Sequence, residues 1–179
     1  MKKAALVFFA FLLLASCASF PRKTNINWPD KIDYLAALCD LDMSWRDMKY
    51  SGSMSITMRY PDRLHIEIYG PFGQTVVYFL KDGDKFMFVS DDEKFNDQEK
   101  FEKRFGIKLS DFIDDLAIRN PLTIGPGGSA YAKRENYVVT YELEGNQDRI
   151  CWKGKDGSIC LRFLEAAFND SSGSAGLKN

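Results

Sequence analysis

The sequence has only one histidine among its 179 residues, which removes most forms of histidine-based catalysis. A single copy also excludes metal motifs that need two histidines. The 24 basic side chains do not outnumber the 25 acidic ones, so the chain lacks the positive excess typical of nucleic-acid binders. The Gly-x-Ser-x-Gly elbow of serine hydrolases and the ligand spacing of an EF-hand are both missing. We therefore expect neither an enzyme nor a protein that holds a metal or another cofactor.

Three local features could be taken for sites, and each has a simpler interpretation. His65 lies beside Glu67 in a strand-like segment, where a solvated or partner-facing side chain is expected. The glycine-rich residues 125–129 lack the lysine of a phosphate-binding loop. The acidic residues 91–93 are typical of a solvated turn and do not have the spacing of a calcium site.

The beginning of the chain differs from the rest, which has the composition of a single globular domain. Two lysines are followed by an apolar run at residues 4–15 and then by Ser16, Cys17 and Ala18. A basic start, a short apolar stretch and small residues at its end are typical of a secretory signal peptide. A membrane-anchor helix is the alternative, but about 20 apolar residues are needed to span a bilayer. We therefore expect an exported protein.

Residues 14–17, Leu-Ala-Ser-Cys, resemble the lipobox of bacterial lipoproteins. The resemblance implies that Cys17 becomes the first residue of the mature chain and carries acyl chains that hold it on a membrane. Ala18 follows, instead of the aspartate that retains enteric lipoproteins at the inner membrane, which favours the outer membrane. The expected segments are a signal peptide (1–16), a lipidated tether (17–29), a folded domain (30–169) and a flexible tail (170–179).

Three further cysteines lie in a chain that is expected to enter an oxidising compartment. Cys151 and Cys160 flank an Asp-Gly turn signal between two strand-like runs. They could form a cross-strand disulfide or remain two reduced thiols in a sheet, because disulfide geometry is demanding. Cys39 lies in an apolar stripe with helical spacing, so we expect its thiol to be buried and inert.

Three helices are predicted. The first is expected at residues 30–39, where Asp30 can serve as N-cap and apolar residues recur at helical spacing. These apolar residues are Ile32, Leu35, Ala36 and Cys39. The others are expected at residues 96–105, capped by Asn96, and around residues 109–116, capped by Ser110. The last helix has an apolar stripe (Leu109, Phe112, Ile113 and Leu116) opposite an acidic face (Asp111, Asp114 and Asp115).

Alternating residues predict strands that are joined by short hairpins and are therefore antiparallel, giving an α+β fold. The strands are expected at residues 45–60, 64–68, 75–80, 85–89, 129–134, 137–143, 149–153 and 158–167. Residues 76–80 and 86–89 are apolar on both faces, which requires cover on both sides or contact with something else. An ordinary two-layer core with a few exposed aromatic side chains is the alternative.

Residues 62–73, Asp-Arg-Leu-His-Ile-Glu-Ile-Tyr-Gly-Pro-Phe-Gly, resemble a strand and turn of the LolB family of outer-membrane lipoprotein receptors. The similarity continues through the next hairpin, the paired helices and the final hairpin, and it covers about residues 45–168. The lipobox fits this family, whose members are themselves lipid-anchored. The resemblance implies an incomplete antiparallel β-barrel of about eight or more strands, with helices capping an apolar cavity.

The resemblance also implies which residues would form the site. A set of apolar side chains would line the cavity: Leu64, Ile66, Ile68, Val77, Phe79, Phe86, Phe88, Leu109, Phe112 and Leu116. Phe72, between Pro71 and Gly73, occupies the place of an exposed leucine with which the family hands lipid to the membrane. The alternative for Phe72 is a turn residue that folds back on the core.

Two functions remain as hypotheses. LolB-like proteins accept lipoproteins from a periplasmic carrier, LolA, and insert their acyl chains into the outer membrane. The resemblance therefore implies a receptor that binds lipids or lipoproteins, and we expect it to be a monomer. The alternative is a structural lipoprotein that uses the same fold to dock onto an envelope complex. A transfer protein needs a continuous apolar cavity, whereas a docking module can fill it.

Overall fold

The computed structural model describes residues 26–125, 129–143 and 147–169, which form one antiparallel sheet and two helices. The strands are β1 (Tyr34–Trp45), β2 (Met48–Arg59), β3 (Arg63–Tyr69), β4 (Thr75–Asp82), β5 (Lys85–Ser90), β6 (Lys94–Phe95), β7 (Thr123–Ile124), β8 (Ala130–Lys133), β9 (Tyr137–Glu142), β10 (Arg149–Gly154) and β11 (Gly157–Phe168). The helices are α1 (Gln98–Phe105) and α2 (Leu109–Leu116). Within these ranges, no helix has the length and hydrophobicity needed to cross a membrane.

Several predictions from the sequence concern segments outside the described residues. They are the signal peptide (1–16), the acylated Cys17, the greater part of the tether (17–25), the middle of the glycine-rich loop (126–128) and the tail (170–179). These features therefore stay predictions. The end of the tether is described, and Trp28 there donates a hydrogen bond of 2.8 Å to Asp148.

The sheet is open and has β1 and β11 at its centre. Its eleven strands follow the order β6-β5-β4-β3-β2-β1-β11-β10-β9-β8-β7. The first and last strands pair with each other, with Leu41 opposite Leu161. A large, partly open antiparallel sheet with few helices is therefore confirmed, and its strand number agrees with the expected eight or more.

Alternation along the strands gives the sheet one apolar face. In β3, three buried residues (Leu64, Ile66 and Ile68) alternate with two half-buried ones (His65 and Glu67). The register extends the apolar face sideways, because Ile66 lies opposite Ile56 on one side and Phe79 on the other. Side chains directly opposite one another in an antiparallel pair share a face, so one continuous apolar surface crosses the sheet.

Both helices pack on this apolar face, which we call the inner face. The ring centroid of Phe101 in α1 lies 5.5 Å from that of Phe79 in β4. The ring of Phe112 in α2 lies 4.8 Å from Trp152 in β10. The opposite side of the sheet is the outer face, and neither helix covers it.

The two helices near the middle of the chain were predicted correctly, although their caps differ. The N-cap of α1 is Asp97, whose carboxylate accepts a hydrogen bond from the backbone N–H of Lys100. The predicted cap Asn96 lies one residue before it. The predicted cap of α2, Ser110, is inside the helix, and Lys108 occupies the N-cap position.

The helix predicted at residues 30–39 is wrong, because most of this segment belongs to β1. Leu35, Cys39 and Leu41 are buried on the inner face, at the spacing of a strand. The β1 strand pairs with β2 on one side and β11 on the other, so its backbone groups are satisfied by long-range ladders. Tertiary pairing therefore overrides the helix propensity of this alanine- and leucine-rich segment.

The long strand predicted at residues 45–60 is confirmed over most of its length as β2 (Met48–Arg59), but its predicted start at residue 45 is wrong. The segment contains the end of β1, a tight turn at Arg46 and Asp47, and then β2. Arg46 has a φ angle of 53°. This turn has no glycine or proline of the kind that marks other hairpins in this chain. The sequence therefore contains no sign that β1 ends before β2 begins.

The hairpin between β10 and β11 follows its sequence signal. Gly157 begins β11 with a φ angle of 132°, a backbone conformation that favours glycine. A Cβ atom at this position would lie 1.8 Å from the carbonyl oxygen of Ser44 on β1. Both the turn and the close approach of β1 therefore require glycine here.

Cys151 and Cys160 lie directly opposite each other in this hairpin and are joined by a disulfide. They face away from Trp152, and therefore lie on the outer face of the sheet. The guanidinium of Arg149 donates to both sulfur atoms, at 3.1 and 3.3 Å.

Removing the disulfide is expected to lower the free energy of unfolding by about 2–3 kcal/mol, because the cross-link restricts the unfolded chain. The variant is the double substitution Cys151→Ser/Cys160→Ser, and urea unfolding followed by circular dichroism measures the effect. Wild-type protein in dithiothreitol is the matched control and should unfold like the variant. Equal stability of the oxidised wild type and the variant would contradict the expectation.

Candidate functional site

A cavity of about 190 Å³ lies between the inner face of the sheet and side chains of both helices. The sheet contributes Leu41, Met43, Trp45, Met48, Met54, Leu64, Ile66, Ile68, Val77, Phe79, Phe88, Ser90, Ile159 and Leu161. The helices and their connection contribute Phe101, Phe105, Ile107, Leu109 and Phe112, and Glu93 completes the lining. The cavity therefore borders eight of the described secondary-structure elements and not one local cluster.

The lining is apolar except at one place, the turn between β5 and β6. Ser90 and Glu93 are its polar members, and they bond to each other. The Ser90 N–H donates to the Glu93 carbonyl oxygen at 2.8 Å, and the Glu93 N–H donates to Ser90 Oγ at 3.1 Å. Ser90 and Glu93 thus satisfy each other's backbone N–H groups, and the remaining apolar lining suits an apolar ligand.

Phenylalanine side chains fill the space between α1 and the sheet. They are Phe79, Phe86, Phe88, Phe95, Phe101 and Phe105. Phe101 is at the centre of this cluster, since its ring centroid lies between 4.5 and 6.2 Å from those of all the others. Such aromatic pairs each contribute about 0.5–1.5 kcal/mol beyond the burial of their surface.

The structure brings most of the predicted cavity residues together. Eight of them line the cavity: Leu64, Ile66, Ile68, Val77, Phe79, Phe88, Leu109 and Phe112. The other two differ from the prediction, because Phe86 and Leu116 are buried in the core without lining the cavity. Phe86 packs its ring against Phe79 and Phe101 instead.

The C-terminal end of α1 is fixed beside the polar end of the cavity. Arg104 Nε lies 2.9 Å from Glu93 Oε1, and Arg104 Nη2 lies 3.4 Å from Asp47 Oδ2. Trp45 Nε1 donates a hydrogen bond of 2.8 Å to the carbonyl oxygen of Phe105. A hydrogen bond from its own backbone N–H and the nearby Arg104 guanidinium lower the pKa of Asp47. The site's charges therefore sit at this end and leave the rest of the wall neutral.

The turn between β3 and β4 carries an exposed aromatic ring. Phe72 is 94% exposed, although it is a large apolar side chain. Its backbone N–H donates to Gln74 Oε1 at 3.2 Å, and the Gly73 N–H donates to the Gly70 carbonyl oxygen at 3.0 Å. Gly73 has a φ angle of 79°, so the turn has a defined backbone that presents the ring to solvent.

This turn lies at the polar end of the cavity. Ile68 and Val77 are opposite each other in the last inner-face pair before the turn, and both line the cavity. Val77 in turn lies opposite Ser90 on β5, next to the polar lining residues. The exposed Phe72 and the charged end of the cavity are therefore at the same end of strands β3, β4 and β5.

Comparisons of the sequence with models of protein families and with curated proteins found no match. The similarity to LolB-like proteins thus depends on the sequence pattern described above.

Asp115 is a buried polar residue that the sequence pattern misplaced. It was predicted on the acidic face of α2, opposite the apolar stripe, but its side chain is completely buried. One of its oxygens accepts hydrogen bonds from Arg134 at 2.7 Å and Asn120 at 2.8 Å. The other accepts from Trp152 Nε1 at 3.1 Å and Tyr137 Oη at 3.2 Å. These bonds fix α2 to β9, β10 and the end of β8.

The surroundings of Asp115 also change the ionisation of its neighbours. Burial raises the pKa of Asp115, while the hydrogen bonds and charge of Arg134 oppose the rise. Burial and the Asp115 carboxylate raise the pKa values of Tyr137 and Tyr141, so both phenols stay protonated. The Tyr141 hydroxyl donates to the Asp115 carbonyl oxygen at 3.0 Å. The cluster is a structural anchor for α2, away from the cavity lining.

Cys39 lies on β1, not in the helical stripe that was predicted. Its side chain is completely buried, and burial raises the pKa of its thiol. A neutral, enclosed thiol has little nucleophilic or metal-binding capacity. Among the described residues, moreover, histidine, cysteine and acidic side chains form no group of three that could hold a metal ion.

Proposed function

We propose that this protein is a LolB-like receptor that binds the acyl chains of lipids or lipoproteins and helps to insert lipoproteins into the outer membrane. In this proposal the open sheet is an incomplete β-barrel, and α1 and α2 cap its cavity. Acyl chains on Cys17 hold the domain on the outer membrane, facing the periplasm, and a LolA-like carrier supplies the cargo. The observation that carries the proposal is an apolar cavity next to an exposed phenylalanine turn.

The energetics of acyl chains explain why such a cavity is needed. Each methylene gains about 0.8 kcal/mol on leaving water, so an acceptor must offer a comparably apolar interior. The cavity of about 190 Å³ is smaller than the ~300–1,000 Å³ of typical ligand pockets, so a whole chain must displace side chains. Met43, Met48 and Met54 line the wall, and unbranched methionine adapts well to such repacking.

Delivery to a membrane requires that the chain is never left in water. Phe72 stands at the same end of the strands as the polar end of the cavity. An aromatic ring inserted at the bilayer interface would bring that end of the cavity to the lipid surface. The chain could then pass directly from protein to bilayer.

Bound lipid in the purified protein tests the binding part of the proposal. Native mass spectrometry of protein purified from bacterial envelopes should show non-covalently bound lipid or acylated peptide. Val77→Asp places a charge in the cavity wall and should abolish this binding, because a carboxylate strongly disfavours an apolar ligand. Val138→Asp is the matched control, since Val138 is equally half-buried but lies on the outer face. Absence of lipid from the wild-type protein would contradict the proposal.

The Phe72→Glu substitution tests the delivery part. We expect it to slow the transfer of a lipoprotein from carrier to vesicles about tenfold or more, because a carboxylate is disfavoured in lipid, by about 2.5–3.5 kcal/mol at the centre of a bilayer. Ile124→Glu is the control, since Ile124 is also an exposed apolar residue, at 71% exposure. Full transfer activity of the Phe72→Glu protein would refute the role of this turn.

A second candidate function is a structural lipoprotein that docks onto an envelope complex without lipid transfer. The phenylalanine cluster under α1 favours this reading, because it fills much of the inner space and leaves a small cavity. Under this alternative, the Val77→Asp and Val138→Asp proteins would carry equally little lipid. Affinity purification of the wild type would instead recover a stable protein complex.

A further inference from the structure

The outer face of β4 and β5 carries four neighbouring apolar side chains that neither helix covers. They form two cross-strand pairs, Tyr78 opposite Val89 and Leu80 opposite Met87. We call these four residues the outer patch. All four are partly exposed, and none packs against the core formed by the described residues.

The orientation of the patch follows from its neighbours. Phe79 and Phe88 alternate with the patch residues and are buried on the inner face. The ring of Tyr78 lies 5.0 Å from that of His65, an outer-face residue of β3. The patch therefore extends the apolar character of these strands to a second face, as their sequences predicted. A sheet that is apolar on both faces needs cover on both.

Charged residues surround the patch unequally. Lys94 lies opposite Val89, and Lys85 lies two residues from Met87 on the same face; both are exposed and form no ion pair among the described residues. On the other side, Glu67 lies 3.3 Å from His65, and Asp82 is paired with Arg63 at 2.9 Å. The acidic turn at residues 91–92 lies beyond the end of β5. Lys85 and Lys94 thus place positive charge on the outer face beside the patch, whereas the exposed carboxylates of Asp84, Asp91 and Asp92 lie in the turns at the two ends of β5.

The patch is continuous along the chain with the exposed turn at Phe72. Strand β4 begins at Thr75, directly after the turn, and carries Tyr78 and Leu80 on its outer face. Leu80 lies five residues after Thr75, so the turn and the patch together span about 15–20 Å along β4. An apolar surface with a tyrosine and flanking lysines matches the interface of a bilayer that contains anionic lipid.

We infer that the outer patch is a membrane-contact surface and that the domain lies on the bilayer along β4 and β5. This inference rests on the proposed function, because it assumes that Phe72 meets the membrane. It adds an orientation: the domain does not stand on the turn alone but lies with the outer face of these two strands against the lipid headgroups. Lys85 and Lys94 then face anionic headgroups.

Fluorophores attached at single introduced cysteines distinguish the two orientations. The full-length protein is reconstituted in vesicles of phosphatidylethanolamine and phosphatidylglycerol that carry a nitroxide lipid as quencher. Phe72→Cys, Leu80→Cys and Val138→Cys receive the label in turn, and the wild type serves as the blank for its own cysteines. We expect at least about twofold stronger quenching at positions 72 and 80 than at 138, which lies on the outer face of distant β9.

Each alternative outcome has a separate meaning. Quenching at 72 without quenching at 80 would overturn the lying orientation and leave the proposed delivery role intact. Equal quenching at 138 would show non-specific adsorption and overturn the inference. If the labels at 72 and 80 are both unquenched, neither the turn nor the patch contacts the membrane, and both proposals fail. A protein cross-linked to position 80 in that case would assign the patch to a protein partner.

The lysines provide a second measurement. In anionic vesicles, Lys85→Gln and Lys94→Gln should each weaken the contact between the patch and the membrane, changing its equilibrium constant about fivefold. The quenching of a label at position 80 measures this change. The effect should disappear in purely zwitterionic vesicles or at high salt. Lys133→Gln is the control, because Lys133 is an exposed lysine of β8, far from the patch. An equal effect of Lys133→Gln would contradict the inference.

Discussion

Replacing Asp115 by alanine is expected to lower the free energy of unfolding by about 3–5 kcal/mol, because it removes one partner of a buried ion pair. Arg134 would keep its charge near the last turn of α2 but would lose the carboxylate to which it donates a hydrogen bond of 2.7 Å. Trp152 and Tyr137 would lose the acceptor for their buried donors. Chemical unfolding followed by circular dichroism measures the change.

Neighbouring substitutions on α2 provide the controls. Asp114→Ala removes a carboxylate that is only half-buried, and its effect should stay within about 0.5 kcal/mol. Asp115→Asn keeps the shape and some of the hydrogen bonds, so its loss should fall between the two. Similar stabilities for Asp114→Ala and Asp115→Ala would mean that the buried network contributes little.

Asp115 also shows where reasoning from the sequence ends. The apolar stripe of α2 was predicted correctly from residues three and four apart, because that periodicity is local. The same periodicity placed Asp115 on the acidic face opposite that stripe. Its partners Arg134 and Trp152 lie 19 and 37 residues further along the chain, and no local pattern reveals that they meet it. A buried carboxylate with distant donors is found only once the strands are placed.

Glycine-containing turn signals were the most reliable guide to where one strand ends and the next begins. Gly83 and Gly157 mark the hairpins β4–β5 and β10–β11, and both adopt positive φ angles. The start of β1 was mistaken for a helix because its conformation depends on partners far along the chain, Met58 and Phe168 for Leu35. Short-range signals thus located most hairpins, while the central strand of the sheet depended on long-range pairing.

The candidate site divides in the same way. Alternation in β3 was enough to place Leu64, Ile66 and Ile68 on one face, and that face borders the cavity. The volume of the cavity could not be predicted, because it depends on how the rings of α1 pack against the sheet. Phe86 illustrates this. It faces the inner side of the sheet as predicted, but its ring packs against Phe79 and Phe101 and does not line the cavity.

Truncation of Phe101 to alanine is the second change with a large expected effect. The ring contacts five other phenylalanines, so its loss should cost about 3–5 kcal/mol in the free energy of unfolding. The Phe101→Leu protein retains most of the apolar volume and should lose less. Urea unfolding of the three proteins gives the comparison.

A ligand should reverse part of this loss if the cavity is a site for acyl chains. A cavity of about 150 Å³ is enough to bind benzene in a protein core, so the space left by the Phe101 ring gives an acyl chain more room. Palmitate binds only the folded state in this scheme and should therefore stabilise Phe101→Ala more than the wild type or Phe101→Leu. Equal stabilisation of all three proteins would place the ligand elsewhere. A larger gain for Phe101→Ala would identify the phenylalanine cluster as the part of the core that an acyl chain must displace.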